Sequence, residues 1–174
     1  MNETIKRQGD MEMQEIENIR KHPLFQEYYD RLEKLEEDRR FCRHQLDHLM
    51  DVARIAYIWN LEEHLGFRKE VIYAAALLHD IGKCRQYEEG IPHDEAGEKA
   101  AEVILNDLPS HAFSGEEKEM IIQAVRGHRK KRENQQGLER LLCDSDKKSR
   151  LCFACPAEKD CNWSSEKKNK KIEV

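Results

Sequence analysis

Hydrophobic positions along the chain recur at helical rather than strand spacing. Residues 1 to about 21 are polar without sustained periodicity and read as a frayed or loosely helical lead-in. From Pro23 onward, Leu24, Tyr28, Leu32 and Leu35 recur at spacings of four and three, which predicts a helix. The charge string Arg31 to Arg40 continues it, with Lys34/Asp38 and Glu36/Arg40 four apart, and reads as a solvated helix face. A second helix is predicted from roughly Asp38 to Glu63, where Phe41, His48, Val52, Ile55 and Trp59 share one stripe and Gly66 is the stop. A third, about Arg68 to His79, carries VIYAAALL and ends at Gly82. Pro92 and Asp94 open a fourth, ending near Leu108-Pro109. Ser114-Gly-Glu-Glu117 is a capping box for a fifth, Glu116 to about Gly127, and a sixth runs from Leu138 to about Arg150 behind Gly137. The expectation is all-α: about six helices over residues 23–150, after a polar lead-in at 1–22. A cysteine-rich loop at 151–163 and a disordered, lysine-bearing tail at 164–174 complete it.

Composition narrows the class. The 174 residues carry 8 Gly and 4 Pro, too few for the many turns of a sandwich or barrel. The longest apolar run, Val71 to Leu78, is far below the ~20 residues a membrane span needs. The start, MNETIKRQGD, lacks the apolar stretch of a secretory signal. A cytoplasmic protein is expected. Thirty basic against thirty-five acidic residues give a net charge of −5, which argues against nucleic acid as the main partner.

The candidate chemistry lies in histidines and carboxylates at core-facing positions. His48 sits on the apolar stripe of its helix, where an imidazole must be hydrogen-bonded or ligated. His79-Asp80 follows directly on the apolar run, and Asp146 shares the Leu138/Leu142 stripe. His93 opens one helix and His128 closes another. Each such group is costly to bury alone; a bound divalent metal satisfies them together.

The order His48-Leu-Met-Asp-Val-Ala, then LLHDIGK at 77–83, then Asp146 resembles the H…HD…D signature of the HD-domain superfamily of metal-dependent phosphohydrolases. By that resemblance His48, His79, Asp80 and Asp146 hold one metal ion. IPHDEAGEKAAEVIL (91–105) and AVRGHRK (124–130) resemble the extra histidine motifs of binuclear members, including the dinucleoside-tetraphosphate hydrolase subgroup. There His93 and His128 bind a second metal, with Asp80 bridging. The closing motif offers two aspartates, Asp144 and Asp146; Lys147 and the apolar stripe favour Asp146. One or two ions of Fe, Mn, Zn or Co are implied, activating a water against a phosphate ester or anhydride of a nucleotide-like substrate.

Around that site, His79, Asp80 and Lys83 are the candidate catalytic residues. Lys83, one turn past Asp80, is a candidate phosphate contact or a lysine favouring a helix C-terminus. Arg126, Arg129, Lys130, Lys131 and Arg132 bracket His128, and Arg129 and Lys130 are expected to meet an anionic substrate. His44 is placed one helical turn before His48, bounding the pocket and contacting substrate, and Asp51 is a candidate to orient an imidazole.

Cys152, Cys155 and Cys161 have metal-site spacing but supply only three thiols. Cys42 precedes His48 by six residues, as Cys152 follows Asp146 by six. If those helices are antiparallel, both cysteines lie about 9 Å along the same direction from the shared metal. Cys42, Cys152, Cys155 and Cys161 therefore form a candidate second site, for a structural zinc or a [4Fe–4S] cluster. The absence of two close cysteine pairs tips the choice towards iron–sulfur. Cys84 and Cys143 read as small buried residues. Two other classes remain open, an HD-type diiron oxygenase and a non-catalytic nucleotide or redox sensor.

Overall fold

A computed structural model describes residues 13–173. Among them lie eight α-helices, two short 3-10 turns and no strand. The lead-in up to residue 12 lies outside the described residues. The helices are α1 (Gln14–Lys21), α2 (Pro23–Leu35), α3 (Leu46–Glu62), α4 (Lys69–Leu78), α5 (Lys83–Glu89), α6 (His93–Asp107), α7 (Gly115–Gly127) and α8 (Gly137–Lys148).

The architecture is built around α4, whose residues Val71 to Leu78 are all buried. A helix apolar on every side must be wrapped, and α1, α3, α6, α7 and α8 all pack against it. Ala74, Ala75 and Ala76 keep its surface thin, so neighbouring helices come close. The Ser114–Glu117 capping box is formed as the sequence predicts: Ser114 Oγ accepts from Glu117 N at 3.1 Å, and Glu117 Oε2 accepts from Ser114 N at 2.9 Å.

Two helices exceed the six expected. α1 forms within the polar lead-in because Ile16 and Ile19 are buried against the core. α5 begins where the third helix was expected to stop. Gly82 does not end the chain's helical course; it is there because α6 sits directly on it. A Cβ at Gly82 would lie 2.2 Å from the His93 carbonyl oxygen and 2.5 Å from the Gly97 nitrogen. That close approach lays the first turn of α6, with His93, beside the end of α4.

The predicted second helix is also corrected. It starts at Leu46, not near Asp38; residues 36–45 form turns and loop, and Phe41 is exposed. The cause is tertiary. Glu36 is not part of a solvated face but fully buried, and its carboxylate accepts the His44 backbone N–H at 2.7 Å, which folds the chain back on itself. Its expected partner Arg40 pairs with Asp160 instead.

The tail does not run free after α8. The Asn169 side-chain amide donates to the carbonyls of Lys147 (2.7 Å), Lys148 (3.2 Å) and Arg150 (2.8 Å). The Lys147 and Lys148 carbonyls are acceptors left unpaired at the C-terminus of α8, so Asn169 caps α8 from the tail. The two 3-10 turns, Cys152–Ala154 and Glu158–Asp160, lie between α8 and that contact. No helix among the described residues is long and apolar enough to cross a membrane.

Candidate metal centre

Five helix ends deliver six side chains to one point. His48 comes from the first turn of α3, His79 and Asp80 from the end of α4, His93 from the first residue of α6, His128 from the end of α7, and Asp146 from the last turn of α8. Two compact groups result, each with ligand atoms within 4.8 Å of one another: His48, His79, Asp80 and Asp146, and Asp80, His93 and His128.

Asp80 divides its two oxygens between them. Oδ2 lies 3.1 Å from His79 Nε2 and 3.4 Å from His48 Nε2. Oδ1 lies 3.5 Å from His93 Nε2 and 3.7 Å from His128 Nε2. Asp146 Oδ1 closes the first group at 3.2 Å from His48 Nε2 and 3.7 Å from His79 Nε2.

The backs of the four imidazoles fix their orientation. His79 Nδ1 meets the Ala76 carbonyl and His128 Nδ1 the Val125 carbonyl, both at 2.7 Å. His93 Nδ1 meets Gln86 Oε1 at 2.6 Å. Ser149 Oγ donates to the Asp146 carbonyl at 2.7 Å and so accepts from His48 Nδ1 at 3.1 Å. With the proton on Nδ1 in each case, every Nε2 lone pair points inward. His93 and His128 then face each other Nε2 to Nε2 at 3.2 Å, an arrangement that suits two ligands of one cation. His79 Nε2 and Asp146 Oδ1 are buried without any hydrogen-bond partner. Orphaned buried lone pairs of this kind are what a divalent ion satisfies, and the residues fit one.

Charge accounts for the remaining electrostatics. Burial pushes the His93 imidazole down to about 3, so its neutral, ligating form is favoured. Burial opposes the charge of His79 too, but the carboxylates of Asp80 and Asp146 outweigh it and raise that imidazole to about 10, so its Nε2 favours a positive partner, a role a divalent ion fills in place of the proton. Burial acts to raise Asp80, and His79 and Lys83 overcome it, holding the carboxylate well below its usual range. Arg150 adds positive charge: its Nη2 donates to His48 Nε2 at 2.9 Å and lies 3.6 Å from Asp146 Oδ1.

Of the other expected residues, Lys83 lies closest: its Nζ is 3.8 Å from Asp80 Oδ1. It is the first residue of α5, an end where the helix dipole does not favour a cation, so the dipole reading fails. His44 precedes α3 rather than sitting on it, yet its ring packs edge-on to His48 with centroids 5.9 Å apart. Its Nδ1 meets Glu36 Oε1 at 2.5 Å, and Tyr87 OH donates to the same oxygen at 2.9 Å. His44, Lys83, Arg39 and Arg150 line a cavity of about 410 Å³. Arg129 and Lys130 do not reach it; they line a separate pocket with Asp94, to which Arg129 is paired at 3.4 Å. Asp51 is exposed and paired with Arg54, and Ser149 takes the role expected of it behind His48. Asp144 is bound by Arg140 and by Lys131 at 3.2 Å, outside both ligand groups.

Glu36, Gln86, Ser149 and Arg150 were missed from the sequence. Arg150 carried a signal, since it follows Asp146 by four and shares its helix face. Glu36 carried none, because it stands inside a run of charges.

The four candidate cysteines, Cys42, Cys152, Cys155 and Cys161, line one cavity of about 520 Å³, whose wall includes His48 and Arg150. They form no compact ligand group of three among the described residues. The Cys42 thiol is raised by burial; Arg150 opposes this, while Cys155, Cys152 and Cys161 add to it. Cys84 and Cys143 are buried elsewhere.

The HD domain family model matches residues 46–151, which span α3 to α8 and all six side chains of the centre. The chain belongs to the HD domain family. A relative from Clostridium beijerinckii, described as an uncharacterized protein, is 49% identical over 146 residues, covering 83% of this chain and 89% of the relative. The crystal structure of a predicted HD superfamily hydrolase from an uncultured Thermotogales bacterium shares the fold. Its TM-score is 0.60 at 20% identity, over 86% of this chain and 81% of the other.

Proposed function

We propose that this protein is a metal-dependent phosphohydrolase acting on a nucleotide or a similar phosphate ester or anhydride. The observation that carries the reading is Asp80. Its two carboxylate oxygens are divided between two ligand groups, with Lys83 3.8 Å from one of them. His48, His79, Asp80 and Asp146 would hold one divalent ion, and Asp80, His93 and His128 a second. Such ions supply a hydroxide near neutral pH and neutralise charge on phosphoryl oxygens.

The chain's own residues do the rest. The carbonyls of Ala76 and Val125, with Gln86 and Ser149, hold the imidazole protons on Nδ1 and keep Nε2 free to ligate. Lys83, Arg39 and Arg150 face the cavity beside His44 and would bind the anionic part of a substrate there. His44 is tied to Glu36 through Nδ1, and burial lowers its imidazole against the opposing pull of Asp80 and Glu36; its ring faces the cavity and would contact a substrate there. No serine or cysteine nucleophile is required.

The test is turnover of p-nitrophenyl phosphate and a nucleotide panel with Mn²⁺, Co²⁺, Fe²⁺ or Ni²⁺. Hydrolysis is expected, and His79→Ala with Asp80→Ala should abolish it while circular dichroism keeps most of the helicity. Hydrolysis retained in that double variant would overturn the centre. Oxygen consumption by the reduced diiron protein without hydrolysis would replace the reading with an oxygenase, and a metal-loaded protein inert in both assays would replace it with a sensor.

A further inference from the structure

The cysteine-lined cavity adjoins the proposed substrate cavity and shares Arg39, Cys42, Arg150 and Cys161 with it, but the hydrolysis proposed above makes no use of its thiols. Its four thiols come from two distant stretches of chain: Cys42 from the loop before α3, and the others from the segment after α8. Both stretches are pinned. Arg39 Nε donates to the Cys42 carbonyl at 2.8 Å, and Arg40 pairs with Asp160, one residue before Cys161. Lys168 Nζ donates to the Glu158 carbonyl at 2.7 Å, holding the second 3-10 turn.

We propose that Cys42, Cys152, Cys155 and Cys161 ligate a [4Fe–4S] cluster. Three observations favour it. The first is convergence: four free thiols share one cavity, and none is engaged in a disulfide. The second is their spread. A zinc ion with Zn–S bonds of about 2.3 Å holds tetrahedral thiolates about 3.8 Å apart. Among the described residues the groups of three or more ligand atoms within 4.8 Å are the two His/Asp groups, and neither contains a thiol. A formed zinc site would bring three or more of these sulfurs inside that limit, whereas a cluster in which each thiolate binds its own iron does not require it. The third is charge. A four-iron, four-sulfide core with four thiolates is anionic. In a chain of net charge −5, the cavity wall brings together Arg39, Arg40, Arg43, Arg150 and Lys168 against Asp47, Asp51 and Glu158.

Ligation releases the four thiol protons, and iron and sulfide are supplied from outside the chain. The cluster and the His/Asp centre share no ligand. Arg150 is the wall between them, its Nη1 donating to the Arg43 carbonyl at 2.9 Å while Nη2 reaches His48.

The experiment is purification of the full chain without oxygen, with a parallel sample reconstituted with Fe²⁺ and sulfide. Iron, zinc and acid-labile sulfide are then measured per chain. About four sulfides per chain and absorbance at about 400 nm are expected. Both should fall at least tenfold in Cys155→Ser and in Cys161→Ser, whose side chains are only partly buried, with helicity checked by circular dichroism. Cys84→Ala should keep them. A sulfide-free protein holding one zinc that Cys155→Ser loses would overturn the cluster in favour of a zinc site. Metal content indifferent to every cysteine variant would overturn the site itself, and full sulfide in Cys42→Ser would overturn the fourth ligand. The His/Asp centre contains no sulfide, so these readouts stand or fall apart from phosphohydrolase activity.

Discussion

Replacing Glu36 by alanine is expected to destabilise the protein far more than its place in a string of charges suggests. The carboxylate is fully buried and accepts three hydrogen bonds: from the His44 backbone N–H at 2.7 Å, from His44 Nδ1 at 2.5 Å, and from Tyr87 OH at 2.9 Å. Bonds to a charged acceptor are worth about 1.5–3 kcal/mol each, and the variant leaves three donors without an acceptor. Removing a buried charge returns its desolvation cost, so the net loss is about 3–4 kcal/mol rather than the full sum. For a chain of this size that lowers Tm by about 6–16 °C. Urea unfolding followed by circular dichroism measures it directly, and Glu36→Gln, which keeps one acceptor oxygen, should lose about half as much. The pH dependence has a definite sign. Burial acts to raise the Glu36 carboxyl, but His44 and Tyr87 outweigh it and hold it below its ordinary 4.5. Its stabilisation is therefore complete above 4.5 and is lost as pH falls through the depressed folded value. The gap between wild type and Glu36→Gln should hold steady from neutral pH to about 4.5 and narrow from there down to the depressed folded value. A Glu36→Ala protein within about 0.5 kcal/mol of wild type would restore the solvated-face reading and refute this one.

Gly82→Ala should cost about 3 kcal/mol or more, because its Cβ meets backbone atoms of α6 that cannot yield without moving His93. Gly97→Ala, whose Cβ is tight only against the Val125 side chain at 3.2 Å and meets the His79 and Leu78 carbonyl oxygens at an ordinary 3.6 and 3.7 Å, should stay within about 1 kcal/mol of wild type, partly offset by helix propensity; comparable losses in both unfolding curves would contradict the packing argument. Lys83→Ala should raise KM for a phosphorylated substrate about tenfold, the equivalent of one charge-assisted hydrogen bond, whereas Lys130→Ala should leave it within about twofold. The reverse order in steady-state kinetics would move substrate binding to the pocket beside Asp94.

Much of the fold was legible because the strongest signals are local. The capping box at Ser114 and the apolar run of α4 act within a few residues, so the sequence places them well. The errors share one cause, in which a distant contact overrode a local preference. Residues 36–45 have the composition of a helix, yet the chain turns there because a buried carboxylate captures the His44 N–H. Gly82 looks like a helix stop, but the atoms that demand a glycine belong to α6, eleven and fifteen residues on.

The site was legible for a related reason, since burying an imidazole or a carboxylate is costly enough to leave a mark on sequence. His48, His79, Asp80 and Asp146 stand where their helices need apolar side chains, and that conflict is visible without coordinates. What supports them is not. Ser149, Gln86, and the Ala76 and Val125 carbonyls are ordinary residues or backbone, and nothing in their spacing distinguishes them. Yet these groups decide which nitrogen of each imidazole carries the proton. Moving that proton to Nε2 would turn four inward lone pairs into four donors facing Asp80 and Asp146, and the same six side chains would then form a closed hydrogen-bond network with no use for a cation. The orphaned His79 Nε2 and Asp146 Oδ1 argue for the open alternative. The choice between a merely polar core and a metal centre is therefore made behind the ligands, at hydrogen bonds the sequence does not announce.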